Sequence, residues 1–260
     1  MIKPIYLVDL DDNLFQTERK LLTTDEKKFS VAALDRKLNP RSYFTKKQFN
    51  YLHWLLDHAE VIPVTARGVE ETSRVNVGFR SWKVMTHGAV IQEPSGKFDI
   101  EWQDFITKSL SSYQQKLHEM QKLLTKAFEE HSVNAWARIN YEYNDVAIYL
   151  VAKHTNSNLV QEMYDIADKI NASNKISGFY LHRNGNNIAW IPHCVEKGAA
   201  VKYLLKKIKT VQLGIPVIGF GDSISDYTFL KHCDWLGMPQ NGQITTVLKD
   251  EIMRLEQINE

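Results

Sequence analysis

The stretch Val217-Ile218-Gly219-Phe220-Gly221-Asp222-Ser223-Ile224-Ser225-Asp226 carries an apolar run through two glycines into a turn that holds two carboxylates. Ile215 to Phe220 reads as a strand and Ile224 to Cys233 as a helix, so Asp222 and Asp226 stand one helical turn apart at a strand's carboxyl end. The same pattern opens the chain: Pro4 to Asp9 is apolar and ends Val8-Asp9-Leu10-Asp11-Asp12-Asn13. Asp9 and Asp11, two apart in nearly extended backbone, project to one side. An Asx turn explains the first cluster and a helix cap the second, each taken singly. Neither explains why acids recur at two strand ends. Four carboxylates converging on one sheet edge repel one another unless a cation sits among them, and hard oxygen donors with room for waters favour Mg2+ over Zn2+.

Outward from these clusters, short apolar runs alternate with segments of helical period, the pattern of a parallel sheet with crossover helices. Thr45 and Gln48 form a capping-box signature ahead of Phe49, Leu52 and Leu56, and Val61 to Thr65 reads as a strand. A polar helix over about 68–77, a strand over Trp82 to Thr86 and a helix with the stripe Val201, Leu204, Leu205 and Ile208 follow the same scheme. Between them the texture changes. Phe105 to Phe128 has the spacing of one long amphipathic helix, then come strands at Asn134 to Tyr141 and Asp145 to Val151, a helix over Ser157 to Ala172, and strands at Ile176 to His182 and Asn187 to Ile191. The expected architecture is α/β: a doubly wound parallel-sheet core of residues 1–85 and 189–260, with an inserted α+β cap of residues 86–188.

With 260 residues, 43% hydrophobic, the chain can bury a core and is neither a disordered tail nor a fibre. Its 32 Lys+Arg against 31 Asp+Glu leave a formal charge of +1, which removes the electrostatic case for a nucleic-acid or anionic-membrane partner. Ile5 to Val8 is too short for a signal-peptide core and no run approaches the ~18 apolar residues of a membrane span, so a cytoplasmic protein is expected. Cys194 and Cys233 are too few for a disulfide framework. The pairs His193-Cys194 and His232-Cys233 lack zinc-ligand spacing, and Ile224 stands where a dinucleotide fingerprint needs its third glycine.

In order, Asp9-Leu10-Asp11-Asp12-Asn13, Thr65 in Val64-Thr65-Ala66-Arg67, Lys197 in Glu196-Lys197-Gly198, and Gly221-Asp222 through Asp226 resemble the four motifs of the haloacid dehalogenase superfamily. The insert after the second motif resembles the large α/β cap of the sugar-phosphatase branch, and Thr65-Ala66-Arg67 and His87-Gly88-Ala89 resemble that branch's T-G-R and N-G-A segments. The resemblance implies a Mg2+-dependent phosphatase with Asp9 as nucleophile and Asp11 as acid and base. Thr65, Ala66 and Lys197 would hold the phosphoryl group, and Mg2+ would rest on Asp9, the Asp11 carbonyl and Asp222, with Asp226 as ligand or support. Asn13, Ala66 and His87 depart from the motifs, where Thr or Val, Gly and Asn are usual. A phosphomutase using the same Asp9, or a weakly active relative that binds a phosphorylated ligand, are the alternatives.

Strand alternation puts Trp136, Arg138 and Asn140 on one face, an aromatic plane beside two hydrogen-bonding groups suited to a sugar or polyol. Arg67, His87 and His182 are further candidates for contact with substrate. The expected partner is a small phosphorylated metabolite, and the expected assembly a monomer or homodimer.

Overall fold

A computed structural model describes residues 3–21, 27–173, 177–211 and 213–258. The chain divides into two compact units, Met1–Asp99 with Glu196–Glu260, and Ile100–Val195. The first unit opens with β1 (Ile5–Val8), β2 (Gln16–Thr17), α1 (Glu18–Leu21), β3 (Ser30–Leu34), β4 (Pro40–Phe44) and α2 (Lys46–His58). It continues with β5 (Glu60–Pro63), α3 (Val69–Ser73), β6 (Lys83–Met85) and β7 (Val90–Gln92). The second unit holds α4 (Ile100–Leu110), α5 (Gln114–Glu130), β8 (Ala135–Glu142), β9 (Val146–His154), α6 (Val160–Ala172), β10 (Phe179–Asn184) and β11 (Asn187–Pro192). The chain then returns to the first unit with α7 (Lys197–Val211), β12 (Val217–Phe220), α8 (Tyr227–Leu230), β13 (Trp235–Gly237) and α9 (Gln243–Ile258).

The core sheet runs β13-β12-β1-β5, and every pairing in it is parallel. β1 is central because Ile5, Leu7 and Val8 are wholly buried, as a strand covered on both faces must be. α2 starts at the Thr45–Gln48 capping box and buries Leu52 and Leu55 against Val8, Leu10, Phe15 and Phe44. In the second unit an antiparallel sheet, β10-β11-β9-β8, turns Ile139, Leu150, Ala152, Ile188 and Trp190 toward the apolar stripes of α5 and α6. No described helix is long and apolar enough to cross a membrane.

The unit boundaries differ from the sequence expectation of 85/86 and 188/189. β7 pairs with β6 and stays in the first unit, whereas β11 pairs antiparallel with β9 and β10 and belongs to the second. The long helix expected over Phe105 to Phe128 is two helices parted at Ser111–Tyr113. There the Gln114 amide donates to the Leu110 and Ala147 carbonyls and accepts the Ala147 N–H, tying the start of α5 to β9. The polar helix after Gly68 stops at Ser73, because Arg74 bonds the Leu34 carbonyl and the Asn76 N–H donates to Ala32. The helix expected over Ile224 to Cys233 is a 3-10 turn at Ile224–Asp226 followed by α8. Ile176, expected to begin a strand, lies outside the described residues; β10 starts at Phe179.

Gly88 sets how closely the chain before the second unit meets the chain after it within the first. Its φ is +97°, and a Cβ there would sit 2.4 Å from the Glu196 carbonyl oxygen. Gly88→Ala should lower the thermal midpoint by about 5 °C or more, combining a strained φ with a backbone clash. Gly78→Ala, where a Cβ meets nothing within 4 Å, should leave it nearly unchanged. Equal midpoints for the two variants would remove this contact from the account of the fold.

Candidate active site

Parallel strands finish at the same end, so β1, β5 and β12 deliver Asp9, Thr65 and Asp222 to one edge. The Asp9 N–H donates to the Phe220 carbonyl at 2.9 Å, and the Val64 N–H to that of Val8 at 2.8 Å. Lys197, first residue of α7, extends its ammonium into this edge. Its Nζ donates to Asp9 Oδ1 and Asp226 Oδ1, each at 2.7 Å. The exposures of Asp9, Lys197 and Asp226 are 6%, 7% and 0%, so the three charges meet out of bulk water. Gly221 is required beside them: a Cβ there would lie 2.7 Å from the Asp226 Cβ.

Asp226 is fully engaged. Its Oδ1 takes Lys197, and its Oδ2 accepts the Ser223 N–H at 3.0 Å and hydroxyl at 2.8 Å, so the turn is a helix cap, while of the four acids expected to converge Asp9, Asp222 and Asp226 come together and Asp11 does not. Burial by itself would raise the Asp226 carboxyl, but the Lys197 ammonium and the Ser223 donors outweigh it and hold it below the usual carboxylate range. Asp222 has the opposite surroundings. Among the described residues none donates to its carboxylate, and burial with the nearby Asp226 and Asp12 charges pushes it up to about 7. Burial likewise raises Asp9 well above its ordinary value against the pull of Lys197, while Asp226 and Asp9 raise Lys197 against the effect of burial.

The residues fit a divalent cation. Carboxylate oxygens of Asp9, Asp222 and Asp226 lie within 4.8 Å of one another. With all three ionised and Lys197 charged, three negative charges less one positive leave −2, the charge such an ion neutralises. Asp9 Oδ2 and both Asp222 oxygens have no described donor, whereas the Asp226 oxygens are taken by Lys197 and Ser223.

The remaining motif residues fall into distinct places. The Asp11 carboxylate stays apart from the cluster, gripped by Arg67 through Nε to Oδ2 at 2.6 Å and Nη2 to Oδ1 at 2.8 Å. Arg67, expected to contact substrate, spends its Nε and Nη2 on Asp11. Thr65 is buried, its hydroxyl accepting the Arg67 N–H at 3.1 Å, and Ala66 is half-buried between them. His87, buried at φ 57°, donates its N–H to the Thr65 carbonyl at 3.2 Å, which fastens its turn to the Thr65 loop. Asn13 donates Nδ2 to the carbonyls of Asp9 at 2.9 Å and Phe220 at 3.2 Å. It is a staple between the two acidic strand ends, a role that its departure from the motif conceals in the sequence.

The other candidates lie in the second unit. Trp136, Arg138 and Asn140 share the face of β8 turned from α5 and α6, as alternation requires. Register places Arg138 opposite Val151, Val151 opposite Ala189 and Ala189 opposite His182, so Arg138 and His182 end one row across four strands. The Arg138 guanidinium lies 5.4 Å from the Trp136 ring centre, and its buried Nε has no partner.

Because burial and acidic neighbours make Asp222 hold its proton more tightly in the folded protein than a free aspartate does, its contribution to stability is complete below about pH 4 and is lost as pH rises toward 7. In chelator the thermal midpoint should therefore fall between pH 5 and pH 8, and Asp222→Asn should lessen that fall. An unchanged slope in the variant would show that another group drives it.

No family model and no curated protein matches the chain. Among solved structures it is similar to the sucrose-phosphatase of Synechocystis in complex with sucrose and phosphate, at 13% identity over 96% of this chain and 97% of that one, with a TM-score of 0.54. It is similar to the C-terminal domain of C. albicans trehalose-6-phosphate phosphatase, at 15% identity over 88% and 73% of the two chains, TM-score 0.54. A Thermoplasma acidophilum protein shares 11% identity over 96% and 98%, TM-score 0.51. At these identities the likeness shows the fold alone, shared with those proteins over 88% to 96% of this chain.

Proposed function

We propose that this protein is a Mg2+-dependent phosphatase that hydrolyses a small phosphate monoester, a sugar or polyol phosphate, through an aspartyl-phosphate on Asp9. The observation that carries the reading is the buried Asp9 carboxylate, held at one oxygen by Lys197 and standing beside the unpartnered Asp222. Lys197 leaves Asp9 Oδ2 free to attack phosphorus while the bond to the ester oxygen breaks. Asp11 gives its proton to the departing alcohol; water then attacks the same phosphorus, Asp11 takes back a proton, and the bond to Asp9 breaks. The Thr65 hydroxyl and the Lys197 ammonium bind phosphoryl oxygens, and Asp226 fixes the ammonium. Asp9, through the lone pair of Oδ1 that Lys197 leaves, Asp222 and the Asp11 carbonyl would hold Mg2+, which would neutralise phosphoryl charge.

The polyhydroxylated substrate is argued from the second unit. Trp136 offers a ring face, and the Arg138 guanidinium, 5.4 Å from its centre, brings terminal donors for substrate oxygens beside it. Asn140 and His182 share that face of the sheet.

Purified protein with Mg2+ is tested against a panel of phosphate esters by released phosphate. Asp9→Asn should bring release to background with folding retained, and Mg2+ should raise the thermal midpoint as well as switch on turnover. Near-wild-type release from Asp9→Asn, or full activity after exhaustive EDTA, overturns the mechanism.

Arg138→Ala should raise KM for the best sugar phosphate about tenfold, the loss of one charge-assisted hydrogen bond of about 1.5 kcal/mol. Turnover of p-nitrophenyl phosphate, which offers no sugar hydroxyls, should hardly change. No loss on either ester would remove this strand from substrate recognition.

A further inference from the structure

Arg67 lies outside the Lys197 cluster yet is bound to one of the proposed reacting groups. Its planar guanidinium takes both Asp11 oxygens, at 2.6 and 2.8 Å, the fork geometry that fixes direction as well as distance. The arginine is itself held from three sides. Its N–H donates to the Thr65 hydroxyl at 3.1 Å, its carbonyl accepts the Thr86 N–H at 2.8 Å, and its guanidinium lies 5.3 Å from the ring centre of the fully buried Phe15. The Asp11 side chain is 38% exposed against 13% for Arg67. An exposed aspartate with no such partner moves among rotamers. Here the better-anchored residue of the pair is the arginine.

We propose that Arg67 is a positioning residue, which aims the Asp11 carboxylate relative to the Thr65 loop so that the acid–base group and the phosphoryl-binding hydroxyl keep one register. The inference rests on the phosphatase reading and deepens it. Each carboxylate oxygen has a second lone-pair direction beyond the one used by the fork, so Asp11 can pass a proton to a departing oxygen and recover one from water while Arg67 stays in place. Thr65 and Asp11 come from different strand ends, and Arg67, two residues after Thr65, joins them, its backbone N–H on the Thr65 hydroxyl and its guanidinium on Asp11.

The test compares two aryl esters of similar shape, phenyl phosphate and p-nitrophenyl phosphate, with Mg2+. Phenolate needs a proton to leave well; nitrophenolate hardly does. If Arg67 acts through Asp11, Arg67→Ala lowers kcat/KM, which reports transfer of the phosphoryl group to Asp9, about tenfold or more on phenyl phosphate and less than about threefold on p-nitrophenyl phosphate; kcat also includes the attack of water on the shared aspartyl-phosphate and does not separate the two esters. Asp11→Asn gives the same pattern, and adding Arg67→Ala to it costs nothing further. Arg67→Lys keeps the charge without the fork and the least disturbance to folding, so it too loses activity selectively on phenyl phosphate. Equal losses of kcat/KM on both esters, no loss on either, or full activity in Arg67→Lys overturns the positioning role. Wild-type protein that releases phosphate from neither ester overturns the phosphatase reading itself, which separates the two failures.

Discussion

The Lys197 ammonium, shared between Asp9 and Asp226, is the interaction around which the first unit is built. Three charges withdrawn from water are tolerable only when each is paired and hydrogen-bonded in good geometry, and taking away one partner strands the others. That requirement fixes several things together. β1 must lie beside β12, since Asp9 and Asp226 follow those two strands. The chain at Gly88 must come within contact of Glu196, where a Cβ would sit 2.4 Å from the carbonyl, for α7 to begin with its lysine in place. Position 221 must lack a side chain, because the Asp226 carboxylate occupies the space.

Asp222 and Asp226 show how surroundings divide two identical groups a single turn apart. Asp226 has a lysine and two donors from Ser223 and stays ionised below the usual range; Asp222 has burial and acidic neighbours and is pushed up to about 7. The first is spent on structure. The second is a carboxylate held at a cost, a cost that the proposed cation would relieve. Asn13 contributes to the same arrangement from outside it, by joining the carbonyls of Asp9 and Phe220 at the ends of the two central strands.

The second unit is organised on a different principle. One face of its sheet meets α5 and α6 through Ile139, Leu150, Ala152 and Trp190, and the other gathers Trp136, Arg138, Asn140 and His182. The proposed phosphoryl chemistry and the proposed recognition of hydroxyls thus reside in separate units, each with its own core, so either can vary without dismantling the other.

Much of this was legible in the sequence. Apolar runs ending in carboxylates identified β1 and β12, and a Thr–Gln spacing located the start of α2, because burial and capping act over a few residues and leave a local pattern. Asp9, Lys197, Asp222 and Asp226 were named from motifs alone and meet at one edge of the sheet. The small sheet β2-β4-β3 was not legible, since strands of two to five residues depend on partners elsewhere in the chain. Nor was the break between α4 and α5, which is made by Gln114 reaching the backbone of Ala147, or the membership of β11, decided by its pairing with β9. The Arg67–Asp11 fork, the Asn13 staple and the division of roles between Asp222 and Asp226 belonged to tertiary structure alone. Each depends on which groups from distant segments stand within about 3 Å of one another, and periodicity along a chain carries no information about that.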